Sequence, residues 1–231
     1  MSISHLFRSL DDYRQLVDRL PADGGDTAAL WRAQCYATRV AVVDLEDRSI
    51  ILHKSPNLTK SGVRAELARE AEKAALPAVA KLAASLKVID RQRETVLAQI
   101  AAPAPDPSPA GVQVRAEVRA YLRAASLGDR VAAVLRAADE GGVVAEAVEE
   151  SPVFLLGLGD DVIEKFHDGR QLQALLRHPE VARRLGILDE GEAVLQAVRA
   201  GALTLLADMG AVEKTVVREA AAAVGPEPTI L

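Results

Sequence analysis

Apolar residues recur at helical spacing along most of the chain, and the stretches that break the pattern are short. Ser9-Leu-Asp-Asp12 predicts a capped helix start, with Leu16, Val17 and Leu20 as its apolar face and Pro21 beyond its end. Asp26 caps a second pattern over 27–52, with apolar positions at Leu30, Trp31, Tyr36, Val40, Val43 and Leu45. β-branched residues at 40–43 and 50–52 would suit a short strand, but the period favours helix. His53-Lys-Ser-Pro-Asn57 interrupts it. The third pattern, Thr59 to Ile100, is the most informative in the chain. It has no glycine after Gly62, and as one helix it would reach roughly 60 Å, twice the width of a small domain. Leu82, Leu86, Ile89, Arg93, Val96 and Ile100 follow steps of four and three, a heptad seam interrupted by Arg93. Leu67, Ala71, Ala74 and Ala78 give a small-residue seam in the first half. Pro77 costs about 3 kcal/mol inside a helix and leaves open whether residues 59–100 form one rod or two helices bent near Ala74 to Pro77.

Joined at 53–58, the helices over 27–52 and 59–100 should fold back as an antiparallel hairpin with a long, coiled-coil-like arm. The shorter helix covers only part of the longer, which predicts a bare strip at Leu82, Leu86, Ile89, Val96 and Ile100. That strip would pack against another copy of the chain or a neighbouring protein. Pro103, Pro105, Pro107 and Pro109 alternate with small residues and read as an extended spacer. The expected organisation is thus an N-terminal hairpin and arm over 1–102, a Pro/Ala linker over 103–110, and a C-terminal helical bundle over 111–231. Within the bundle the pattern places helices at 112–125, 130–138, 143–149, 160–177, 179–185, 190–207 and 210–224, then an extended tail. The predicted fold class is all-α.

Composition narrows the function classes. Of the 231 residues 49% are apolar but only 3% aromatic, and alanine is abundant, which suits thin, closely packed helical cores. The formal charge of −5 argues against bulk electrostatic binding to nucleic acid. Residues 57–110 carry eight basic and six acidic side chains, and residues 111–231 thirteen and nineteen, so the C-terminal half is the acidic one. Cys35 is the single cysteine, which rules out an intramolecular disulfide and reads as a buried thiol. The N-terminus has no basic stretch followed by an apolar run, so no signal peptide is expected. No run reaches the roughly 18 apolar residues of a membrane span, and a soluble protein made in the cytoplasm is expected.

The candidate chemistry is sparse. Gly157-Leu-Gly159 lacks a preceding strand, a third glycine and a following Gly-Lys-Ser/Thr, so it is not a phosphate loop. Glu164, His167 and Asp168 could share one helix face, but a solvent-facing trio is the simpler reading. No nucleophile–base grouping or metal motif occurs. No catalytic, cofactor or metal residues are assigned, and no enzyme is expected. Phe154, Leu155 and Leu158 concentrate hydrophobicity in a chain otherwise poor in it. They read as bundle core or, alternatively, as a docking surface.

The stretch Val118 to Leu158 runs from a helix bearing Arg119, Tyr121, Leu122 and Arg123 through Gly128-Asp129 to Pro152, Phe154, Leu155, Gly157 and Leu158. It resembles a group of uncharacterised helical proteins encoded by tailed bacteriophages and prophages. The resemblance covers about forty residues of common types and implies a setting without catalytic residues. That setting is a virion or assembly protein at the head, at the portal–tail junction or inside the capsid, partnered by itself or by other virion proteins. The alternatives from the sequence are a cytoplasmic adaptor or regulator binding a basic partner, and a DNA packaging or ejection factor.

Overall fold

The computed structural model describes residues 7, 9–101 and 104–213, apart from the side chains of Val153 and Phe154. Among the described residues there is no strand, and the chain is all-α. The helix expected over 210–224 lies almost entirely outside the described residues, as does the tail. The chain divides into two compact units: residues 1–95 with 185–231, and residues 96–184. This division does not follow the proline-rich segment at 103–110. The last long helix groups instead with the N-terminal hairpin, and the reason lies in its burial.

In unit 1, α1 (Leu10–Val17) opens on Ser9, whose Oγ accepts the Asp12 N–H at 3.2 Å. The Arg32 guanidinium donates to the Leu20 carbonyl just beyond the end of α1. A 3₁₀ turn at Ala22–Gly24 leads into α2 (Gly25–His53). The buried face of α2 is Ala28, Trp31, Cys35, Thr38, Val42, Leu45, Ser49 and Leu52, in alternating steps of three and four. It is not the face the larger apolar residues suggested, since Leu30 and Val40 are exposed. Two buried positions are polar but locally satisfied. Thr38 Oγ1 donates to the Gln34 carbonyl at 2.9 Å, and Ser49 Oγ lies 3.3 Å from His53 Nδ1. A hydroxyl bonded to its own helix is buried at little cost, and its small size lets another helix approach closely. Inside this core the Tyr13 hydroxyl donates to the Cys35 carbonyl, and burial pushes the Cys35 thiol up to about 12.

Thr59 caps α3 (Lys60–Glu70), which continues through a π turn at Ala71–Ala75 into α4 (Leu76–Ala98) with no residue between them. Pro77 therefore does not split the rod. It has no N–H to offer, and its ring crowds the carbonyl four residues earlier. The wider turn immediately before it relieves that crowding, with the Leu76 N–H bonding five residues back to Ala71. The turn also re-phases packing. Val63, Leu67, Ala71, Ala75 and Val79 are buried in steps of four, a line that drifts around a regular α-helix. Widening the period holds that line toward α2, which packs on both α3 and the π turn.

The last long helix, α10 (Pro179–Asp208), is one element where two were expected. Asp189, in the gap expected between helices at 179–185 and 190–207, faces Arg93 of α4: the guanidinium donates to Asp189 at 2.8 Å and also to Glu192. Gly191 lies against the indole of Trp31, where an added Cβ would come within 2.3 Å of the ring. Val194, Leu195, Val198, Ala202, Leu203, Leu205, Leu206 and Ala207 are all buried. A helix covered on nearly every side is a central core helix, so α10 belongs with unit 1.

Unit 2 is built from short pieces: α5 (Pro109–Ala124), α6 (Leu127–Glu140), α7 (Gly142–Glu149), α8 (Val153–Leu156) and α9 (Asp160–Arg177). Its core gathers Leu122, Val134, Ala137, Ala138, Ala145, Val148, Leu156, Leu158, Ile163 and Phe166. Ser108 and Ser126 cap α5 and α6 through their hydroxyls. Gly141 and Gly142, at φ 75° and 77°, make the tight α6–α7 turn that other residues would strain. The described part of the spacer is pinned to unit 2. Asp106 accepts from the Ser108 N–H and hydroxyl, and the Asp106 carbonyl accepts from Arg115 at 2.8 Å.

Candidate functional site

The contact strip expected on the arm is largely closed by the chain itself. Leu82, Ile89 and Val96 are buried, and Leu86 and Ile100 are half-buried. The polar edge of α4 is satisfied as well: Ser85 donates to Gln34 of α2 at 2.8 Å, and Arg93 has its acidic partners on α10. Within unit 1, α10, which the sequence placed in another module, meets this stretch of α4 through Arg93.

The run at 153–158 divides. Leu158 joins Leu156 and Phe166 in the unit 2 core, the Phe154 side chain lies outside the described residues, and Leu155 is 42% exposed. The chain geometry around Leu155 is set by Arg130. Its guanidinium donates to the Leu122, Arg123 and Ala125 carbonyls at 2.8, 3.0 and 3.0 Å and to the Leu156 carbonyl at 2.7 Å. These are the orphan carbonyls at the ends of α5 and α8, which a cation meets favourably. One side chain thereby gathers the end of α5, the start of α6 and the end of α8. Large apolar residues beside these bonds stay in water: Tyr121 at 72% exposed, Leu127 at 61% and Leu155. The sequence placed Tyr121 on a helix without marking it as a surface residue and gave no role to Leu127 or Arg130. The available signal was the succession of short helices, each of which must find partners for its terminal carbonyls.

A second charged cluster fastens α5 to α7. Arg115, only 2% exposed, has its Nε 2.8 Å from Glu150 and a terminal nitrogen 3.7 Å from Glu146, while Arg119 reaches Glu150 at 3.1 Å. The hydrogen bond from Arg115, reinforced by Arg119, holds the Glu150 carboxyl below the usual carboxylate range. Asp106 is held low by the Ser108 backbone and hydroxyl donors, with Arg115 assisting.

Unit 2 also contains a cleft of about 430 Å³. One face of α9 lines it, through Arg170, Gln173, Ala174 and Arg177, with His178 at the helix end. Leu97, Gln99, Ile100 and Ala101 form the opposite wall, and Glu149 contributes a carboxylate. Arg170 Nε donates to Glu149 at 3.1 Å, His178 Nδ1 lies 3.3 Å from Glu180, and Gln99 accepts from Arg184 at 3.0 Å. Among the described residues no group of three His, Cys, Asp or Glu side chains could hold a metal ion, and no helix is long and apolar enough to cross a membrane. Compared with protein-family models, curated proteins and solved structures, the chain matches none.

Proposed function

We propose that this chain is a non-enzymatic helical assembly protein that docks through the Tyr121, Leu127 and Leu155 end of unit 2. One observation carries the reading: three large apolar side chains are left in water on the chain segments whose backbone a single arginine, Arg130, ties together. Apolar clusters of this kind mark protein contacts when charged residues rim them. Arg123 and Asp129 stand beside this one, both exposed. The arm seam has no such claim, because exposing Leu82 and Ile89 would open the core of unit 1. The setting, a tailed-phage virion or its assembly, rests on the resemblance over residues 118–158, the segment that contains all three docking residues. The test pairs light scattering of the purified chain with its detection in purified phage particles. Tyr121→Asp with Leu155→Asp should abolish self-association or incorporation into particles while leaving the helical signal and thermal midpoint unchanged. Undiminished association in that double variant would overturn the surface, and absence from particles would overturn the setting.

A further inference from the structure

The cleft in unit 2 has a composition that docking through Tyr121 and Leu155 does not use, and the geometry points to a binding site for a small amphipathic anion. Arg170, Gln173, Ala174 and Arg177 stand at i, i+3, i+4 and i+7 on α9, so one helix face carries two arginines, their backbone positions about 10 Å apart along the axis, with a small residue between them. Across from them Leu97, Ile100 and Ala101 supply an apolar wall. The volume of about 430 Å³ falls in the range of small-ligand sites.

Charge chooses the sign of the ligand. Residues 96–184 carry ten basic and thirteen acidic side chains, so unit 2 as a whole repels anions. The cleft reverses this locally. Its carboxylate, Glu149, is engaged by Arg170 Nε, and among the described residues Arg177 has no acidic partner. Arg177 also answers the partial negative charge at the end of α9, as a basic residue in a last turn commonly does. That role needs neither a cavity nor an apolar wall opposite. A carboxylate or phosphate at Arg177, with an apolar body against Leu97 and Ile100, satisfies both the unpaired cation and the apolar lining.

The test is an amide chemical-shift titration of the full chain with octanoate and octyl phosphate, against 1-octanol and inorganic phosphate as body and head alone. Saturable shifts centred on Leu97, Ala101, Ala174 and Arg177 are expected with one or both amphipathic anions, at least tenfold tighter than with either control. Arg177→Gln should weaken that binding about tenfold without moving the thermal midpoint, and Ala174→Phe should block it by filling the floor. Equal binding of 1-octanol, shifts centred on Tyr121 and Leu155, or binding indifferent to Arg177→Gln would each overturn the site.

Discussion

Unit 1 and unit 2 hold themselves together by different means, and helix length decides which. Unit 1 relies on long helices, α2, the α3–π–α4 rod and most of α10, whose backbone groups are nearly all bonded within the helix. Its specificity comes from small residues that let these helices close: Gly191 under Trp31, Ala71 and Ala75 in the π turn, Thr38 and Ser49 in the α2 seam. Unit 2, a smaller span of chain, is divided into shorter helices, and every end leaves up to four carbonyls or amides without an internal partner. Arginines meet that demand. Arg130 serves the ends of α5 and α8, and Arg115 the turn at Asp106. Inside unit 1 too, an arginine meets a carbonyl after a short helix: Arg32 donates to Leu20, three residues beyond α1. Long helices are limited by packing volume and short ones by their terminal polar groups.

The comparison breaks most visibly if core volume is removed from unit 1. Leu195 is fully buried in α10, and Leu195→Ala should cost about 2–5 kcal/mol by loss of contact and the cavity left behind. Chemical denaturation measures it, and a loss below about 1 kcal/mol would mean that α10 is not the central helix. Next in size is Arg130→Met, which keeps the aliphatic bulk but removes the donors to four carbonyls. A loss of about 2–3 kcal/mol is expected, since hydrogen bonds from a charged donor are individually stronger than neutral ones. Faster amide exchange at the end of α5 and at Gly157 should accompany it. If Arg130→Met proves neutral, the arginine explanation for unit 2 fails.

Much of this was legible in the sequence, and the parts that were not share a cause. Ser9 marked a helix start because capping is a local interaction of a few neighbouring residues, whereas Pro109, read as the end of the spacer, is the first residue of α5. The hairpin of α2 with α3 and α4 followed from the short break at 53–58. The placement of α10 did not follow, because nothing near 190–207 records which distant helix covers it. Its density of Val194, Leu195, Val198, Leu203, Leu205 and Leu206 was a signal of all-round burial, but read locally it resembled any amphipathic helix. Arg93 looked like a flaw in a seam because its partners, Asp189 and Glu192, are nearly a hundred residues away. Of the candidate surface, Leu155 was legible. Tyr121 and Leu127 were not, since exposure depends on what Arg130 gathers around them.

Acid should act through the polar fastening of unit 2. The carboxyls of Glu150 and Asp106 titrate below their ordinary values in the folded chain. A depressed folded value means that their stabilisation is complete above the unfolded carboxylate value, about 4, and is lost as pH falls through the folded one. Stability is therefore expected to be flat with respect to these groups near neutrality and to fall below about pH 4. Glu150→Gln should be less stable than the parent chain at pH 7, and the gap should close as pH falls through the lowered folded value of Glu150. A gap that stays constant with pH would show that Glu150 contributes by packing, not by charge.

The smallest effect is expected at Pro77. If the π turn existed only to make room for the proline ring, Pro77→Ala would restore a regular α-helix and rotate Ala71 and Ala75 away from α2. The buried line at 63, 67, 71, 75 and 79 requires the wider period in either case, because its members step by four. Pro77→Ala should therefore keep the Leu76-to-Ala71 hydrogen bond and change stability by no more than about 1 kcal/mol. The gain in helix propensity is small because the new amide faces a turn whose carbonyls are already out of α-register. A structure of the variant with Leu76 bonded to Glu72 would show instead that the proline imposes the turn, and that packing merely follows.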